Sequence, residues 1–400
     1  MRDSRRHADI RSRSWHRAGI VAATAAGLAA VGTAVATFAI ARYVITPPRR
    51  RAQDIRIVHI DEKAGTVTLS ESPESLLAGR YGLWFDAERG HARVGDVVSR
   101  GRDSVTRRLE GIDKGTPAVG MKCRLSGWYY RSPEPLGVEY SEVFIDTTLG
   151  PAPAWLVPAP GGGTGGRWVI QVHGRAVDRR ETIRAIPVFH DAGFTSLLIS
   201  YRNDGVAPPS EDGRYALGDI EWLDVESAMR YAIDHGARDI VLMGWSMGGA
   251  TVLQAATRSR LSFAVRGIVL DSPVVDWVTA LRHQAGTLRI PPLVVRAVLR
   301  ILSRPWGSVV TGQHAPIDLR RLDFVARAVE LELPMLLLHS SGDAFVPDTA
   351  SRALAAARPD IVTFPAIAGA GHTRIWNYDT DAWNGAISEW LQRLLPPSSL

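Results

Sequence analysis

The residues best suited to chemistry stand at Gly244-Trp245-Ser246-Met247-Gly248, where a G-x-S-x-G spacing falls between the apolar run Ile240–Met243 and a helical stretch, Met247–Arg258. A sharp strand-to-helix turn lifts a serine hydroxyl above a sheet. Gly244 and Gly248 are needed there because side chains would collide where strand and helix crowd together. A serine hydroxyl is a weak nucleophile at neutral pH, so it needs an imidazole as base and a carboxylate to orient that imidazole. Of the eleven histidines, His372 in Gly369-Ala370-Gly371-His372 follows the last apolar strand and precedes the last helix, and it is assigned as the base. Asp343, in the loop His339-Ser340-Ser341-Gly342-Asp343, is assigned as the acid, with Asp271 as its rival and His339 as a structural residue. The strand Arg167–Val172 runs into His173-Gly174-Arg175, a turn that aims the Arg175 N–H, together with the Met247 N–H, at a developing oxyanion. His173 and Gly174 support that turn, and the Arg175 side chain reads as solvated. These groups together would carry out acyl transfer.

The elements that must position these groups follow from the periodicity. Apolar strands at Ser141–Thr147, Ala154–Pro158, Arg167–Val172, Thr195–Tyr201, Ile240–Met243, Gly267–Leu270, Met335–His339 and Ile361–Phe364 alternate with helical stretches near Arg179–Asp191, Asp219–His235, Met247–Arg258 and Ala350–Ala357. A final helix near Thr380–Leu395 gathers Trp383, Ile387, Trp390, Leu391 and Leu394 on one face. Strands that are apolar throughout and separated by helices give an α/β fold with a mostly parallel sheet covered on both faces, whose sites form at the strands' carboxyl ends. Residues 276–333 are too many for one crossover, and Ile290–Leu302 reads as a helix of a cap over the site. The glycine run 161–166 leads into a strand rather than a helix, so it is not a phosphate cradle. No cofactor motif is present, and the single cysteine, Cys123, excludes an internal disulfide and a cysteine-based zinc site. Cys123 reads as a buried small hydrophobe.

The chain has 400 residues and a net charge of +6, which at first suggests a nucleic-acid partner. Residues 1–51 hold ten arginines against Asp3 and Asp9, a net of +8, while the remaining 349 residues hold 37 basic and 39 acidic side chains, a net of −2. No nucleic-acid binding is expected of so nearly neutral a body. Ala18–Ala41 carries no charge, and as a helix it would span about 36 Å. With arginines at both ends it reads as a transmembrane anchor, preceded by a basic tail over 1–17 and followed by a linker over 42–54. A cleaved signal peptide is the alternative. The expected location is therefore the cell membrane, with the body outside the cytoplasm. Residues 55–137 read as a β-rich extension of unassigned role. Strands are expected at 55–60 and 66–70 as a hairpin, at 79–85 and 93–98 as a second pair, and at 124–130.

With the His-Gly turn, the serine elbow, the acid and the histidine in that order, residues 138–396 resemble the α/β-hydrolase superfamily, in particular bacterial membrane-anchored hydrolases of the esterase and serine aminopeptidase-like branches. The loop departs from the common His-Gly-x-x-Asp in reading His339-Ser340-Ser341-Gly342-Asp343. The resemblance implies an eight-stranded sheet with a helical cap and a serine hydrolase of small-molecule esters or related acyl substrates, acting without a cofactor or metal. A peptidase or thioester hydrolase with the same three residues is the alternative, and a non-catalytic binding protein on the same scaffold a further one.

Overall fold

The computed structural model describes residues 31–48, 51–162 and 166–395. Helix α1 occupies residues 31–45, and Thr37, Ala41 and Ile45 are buried on one side of it at i, i+4 and i+8. Small side chains on that side let the helix approach closely, and Ala41 and Ile45 join the main core of the molecule. Helix α1 runs on past residue 41, where the expected anchor ends, into the first residues of the expected linker. Arg42 donates through Nη1 to the Thr311 carbonyl (3.2 Å), and residues through Pro48 stay against the body. An apolar run reads the same whether a bilayer or a protein core receives it, which is why the sequence placed the boundary differently. Residues 18–30 of the expected span lie outside the described residues, and among the described residues no helix is long and apolar enough to cross a membrane.

Strands β1 (Ile55–Asp61), β2 (Thr66–Ser70), β3 (Tyr81–Phe85), β4 (Gly90–Arg100), β5 (Ser104–Lys114) and β6 (Lys122–Ser126) close into a small barrel in the order β1-β2-β5-β4-β3-β6. Alternating residues such as Ile55, Ile57, Val67, Leu69, Leu83 and Cys123 fill it. Strand β5 has no counterpart among the expected strands, because arginines carry part of its alternation. One of them, Arg107, is fully buried and donates to the carbonyls of Leu77 (2.6 Å) and Gly95 (3.0 Å). Two expected strands are shortened. The third begins at Tyr81 rather than residue 79, and the last ends at Ser126, since Arg80 and Gly127 bond to the neighbouring body instead.

The body is an eight-stranded sheet in the order β14-β13-β12-β11-β9-β10-β8-β7. Strands β7 (Ser141–Thr147) and β8 (Gly150–Val157) form a hairpin at one edge. Strands β9 (Arg167–Val172), β10 (Thr195–Ile199), β11 (Asp239–Trp245), β12 (Val265–Asp271), β13 (Met335–Leu338) and β14 (Val362–Thr363) run parallel. Helices α2 (Ile186–Asp191), α3 (Trp222–Asp234), α4 (Met247–Arg258), α8 (Thr349–Ala357), α9 (Ile375–Tyr378) and α10 (Thr380–Leu394) follow the strands, while α5 (Trp277–Thr287), α6 (Pro292–Ser303) and α7 (Pro305–Thr311) make up the insertion after β12. The helix expected over Arg179–Asp191 is tighter in its first half, a 3-10 turn over Arg179–Ala185 before Pro187 opens α2. The two core clusters on either side of the sheet are apolar, one led by α3, α4 and the insertion and the other by α10 with Trp383 and Trp390.

Candidate active site

The turn from β11 to α4 holds Ser246 at φ +49° and ψ −116°, a backbone conformation that costs a non-glycine residue about 1–3 kcal/mol. Its surroundings enforce it. The Ser246 N–H donates to the Asp271 carbonyl (3.1 Å), and the Ser246 carbonyl accepts from Val274 N–H (3.0 Å) and Gly249 N–H (3.0 Å). A side chain on Gly244 would strike the backbone of Gly248, and one on Gly248 would strike the carbonyls of Val172 and His173. The two glycines are thus needed by close approach, and the serine hydroxyl is lifted at the carboxyl end of the sheet.

His372 lies on the loop between β14 and α9. Its Nε2 is 2.9 Å from Ser246 Oγ, and its Nδ1 is 2.7 Å from Asp343 Oδ2. Asp343 also accepts through Oδ1 from the Phe345 and Val346 amides (both 2.9 Å), and His339 Nε2 lies 3.4 Å from Oδ2. Burial alone would push this carboxyl up, but His339, His372 and the Val346 amide hold it well below the usual carboxylate range. An ionised carboxylate accepts only, so Nδ1 of His372 carries the proton and Nε2 is left to accept from the serine hydroxyl. The rival acid, Asp271, is occupied elsewhere. Its oxygens accept from the Ser272 hydroxyl (2.9 Å) and from Trp383 Nε1 (2.8 Å). Ser272 in turn accepts from the Thr373 N–H (3.1 Å), which ties down the residue after His372.

The His173-Gly174 turn is pinned from three sides. The Gly174 N–H donates to Glu181 Oε2 (2.7 Å), the Tyr201 hydroxyl donates to the Gly174 carbonyl (2.8 Å), and the His173 ring stacks on Tyr201 with centroids 4.2 Å apart. Gly174 sits so close that a Cβ on it would come within 3.2 Å of Ser246 Cβ. The N–H groups of Arg175 and Met247 donate to no acceptor among the described residues. The Arg175 side chain is not solvated, contrary to the sequence reading. It donates to the carbonyls of Tyr43 (2.7 Å), Val44 (2.8 Å) and Thr46 (3.3 Å), capping the carboxyl end of α1.

Above these groups lies a cavity of about 690 Å³ that includes Ser246 and His372. Its walls are apolar. Ile40 and Val44 come from α1, Trp277 and Leu281 from α5, Val298 and Leu299 from α6, and Phe345 from the acid loop. Besides His372, its charged or titratable lining groups are Arg175, committed to α1, Glu181, committed to Gly174, and Tyr43. A second cavity of about 560 Å³, between α2 and α10, contains none of the site residues. Among the described residues no cluster of His, Cys, Asp and Glu is arranged to hold a metal ion.

Several residues that shape the site carry no sequence signal. Arg184, fully buried, donates to the Thr373 carbonyl (2.7 Å) and to Asn377 Oδ1 (2.8 Å), and burial lowers its pKa. Asn377 then donates to the carbonyls of Arg80 (2.8 Å) and Gly127 (3.0 Å), so the barrel is bonded to the loop and helix that follow His372. Spacing could not reveal these contacts, because the partners are up to 297 positions apart.

The model of the Alpha/beta hydrolase family matches residues 156–386, more than half of the chain. The chain belongs to the alpha/beta hydrolase family. A domain of unknown function (DUF8805) matches residues 56–126, the barrel. An uncharacterized protein of Mycobacterium tuberculosis is 28% identical to this alpha/beta hydrolase over 313 residues, covering 77% of this chain and 84% of the relative. Among solved structures, a Pyrococcus furiosus esterase aligns with a TM-score of 0.51 at 17% identity, over 66% of this chain and 95% of its own. A Mycobacterium tuberculosis puromycin-hydrolyzing peptidase aligns with a TM-score of 0.50 at 15% identity, over 88% of this chain and 55% of its own. At such identities the likeness is one of fold.

Proposed function

We propose that this alpha/beta hydrolase is a serine esterase that cleaves a carboxylic ester or related acyl bond through an acyl-enzyme on Ser246. The observation that carries the reading is the unbroken hydrogen-bonded series from Ser246 through His372 to Asp343. In this reading His372 removes the serine proton as Oγ attacks the carbonyl carbon. The N–H groups of Arg175 and Met247 receive the oxyanion, Asp343 holds the imidazolium, and the protonated His372 returns the proton to the leaving alcohol. Water, deprotonated by the same histidine, then releases the acid and restores the serine.

The cavity supports an ester over an aminopeptidase substrate. A free amino terminus needs an available carboxylate, and the acidic group in the lining, Glu181, already accepts from Gly174. The walls suit an apolar acyl or aromatic group. Membrane attachment belongs to the same proposal and rests on the uncharged run Ala18–Ala41 with its flanking arginines. Because Thr37 and Ala41 are buried against the body, residues 18–36 are left for a bilayer, a length of about 28 Å as a helix, with the body outside the cytoplasm.

Labelling with a fluorophosphonate probe, followed by turnover of p-nitrophenyl acyl esters and aminoacyl amides, tests the reading. The wild-type chain should label and should favour the esters. Ser246→Ala should not label and should lose about 10⁴-fold or more in ester turnover. Labelling that persists in Ser246→Ala removes the serine from the role.

A further inference from the structure

The cap has a charge unlike the rest of the body. Residues 277–317 contain Arg282, Arg289, Arg296, Arg300 and Arg304 and no Asp or Glu, a net of +5, which leaves −7 on the rest of residues 52–400. All five arginines are exposed, and none lies within ion-pair distance of a carboxylate among the described residues. On α6 the outward side carries Leu293, Arg296 and Arg300 at i, i+3 and i+7, and Leu293 is 72% exposed. On α7, packed against α6, Trp306, Val309 and Val310 face outward at i, i+3 and i+4, and Val309 is 88% exposed. Helix α1 meets this surface through Arg42 on the Val310 and Thr311 carbonyls, and it exposes Val31 and Val35. The opposite sides of α1 and α6 line the cavity over Ser246.

We propose that the outward surface of α6 and α7, beside the point where α1 enters the body, docks on an anionic bilayer, holding the cap over Ser246 against the lipid. Exposed apolar side chains alternating with unpaired arginines are the pattern of an interfacial helix, whose apolar residues enter the acyl boundary while its cations meet the headgroups. The net charge of the cap, isolated on an otherwise acidic body, selects an anionic surface rather than a neutral one. The uncharged run before residue 31 leads directly into α1, so it would hold this face near the same membrane. This contact is separate from both that run and the hydrolytic reading, because it resides in the cap.

The test uses the full chain. Cys123, the single cysteine, is buried, so Leu293→Cys accepts an environment-sensitive fluorophore selectively, and Glu332→Cys, before the amino end of β13, supplies a control at the far end of the sheet. On vesicles of phosphatidylcholine with phosphatidylglycerol, the probe at 293 should shift to the blue and the probe at 332 should not. Arg296→Glu combined with Arg300→Glu should lower the apparent lipid affinity read at 293 by more than about twenty-five-fold, since losing each arginine near an anionic surface is worth about a factor of five and the two added carboxylates repel the headgroups as well. A circular-dichroism melt matching that of the unsubstituted chain shows that the double variant is folded, and Arg→Gln at both positions replaces it if the melt is lost. The proposal is overturned if the chain associates with vesicles while the probe at 293 stays unshifted, or if the chain does not associate at all. It is equally overturned if the shift appears without lipid as protein concentration rises, which would make a second copy the occupant.

Discussion

At the scale of single residues the site is a set of groups each left one free valence. Asp343 spends Oδ1 on two backbone amides and keeps Oδ2 for the imidazoles of His372 and His339. With Asp343→Asn the amide can donate to Nδ1 and impose the wrong tautomer on His372, so ester kcat should fall about 10⁴-fold while substrate binding changes little. Steady-state kinetics separate the two. The same carboxyl makes stability depend on pH. Its native pKa is depressed, against about 3.9 in an unfolded chain. The stabilisation is therefore complete above the unfolded value and is lost as pH falls through that value toward the native one. Thermal melts between pH 5 and pH 3 should fall more steeply for the wild-type chain than for Asp343→Asn, and parallel slopes would contradict this assignment.

Among the elements, α1 is the one that changes how the cavity is understood. The Arg175 guanidinium caps α1 while the backbone N–H of the same residue is the oxyanion donor of the proposed reading, so in that reading seating the helix and positioning the donor depend on one residue. Arg175→Met keeps the backbone and most of the apolar stem but loses three hydrogen bonds. It should lower ester kcat about tenfold and loosen α1, readable as faster hydrogen exchange over residues 31–45. Filling the opposite wall makes a separate point. Leu299→Trp narrows the cavity and should raise KM for long-chain esters about tenfold or more while leaving acetate esters nearly unchanged. The elbow, the acid loop and the histidine loop were legible in the sequence because each is a short local pattern at the end of an apolar strand. The side-chain role of Arg175 was not, because its partners at 43–46 lie about 130 positions away. Strand β5 was obscured for a different reason, since its buried Arg107 is polar in the sequence and satisfied only by carbonyls of other segments.

At the scale of the whole molecule, the barrel acts as a brace for the histidine loop. Alternation made its hairpins readable, but nothing local states that Arg80 and Gly127 would bond to Asn377. The consequence is mechanical. His372 must keep Nε2 near Ser246 and Nδ1 near Asp343 at once, and the loop that carries it has Gly369 and Gly371 on one side. The other side is fixed by Thr373 bonding to Ser272 and Arg184, and by Asn377 bonding across to the barrel. Asn377→Ala leaves Arg184 without one acceptor and the Arg80 carbonyl without its side-chain donor, while the Gly127 carbonyl keeps only a long bond from Arg184 (3.4 Å). A buried group left unsatisfied costs about 1–3 kcal/mol, so the melting temperature should drop by several degrees. A loss of global stability alone would leave kcat at 25 °C unchanged. If the barrel positions His372, kcat falls about tenfold with KM nearly constant, because the displaced imidazole is used after substrate has bound. Asn377→Asp, which restores the acceptor toward Arg184 but not the donor toward Arg80 and Gly127, separates the two halves of the brace. Recovery of kcat in that variant would place the effect on Arg184, and continued loss would place it on the barrel.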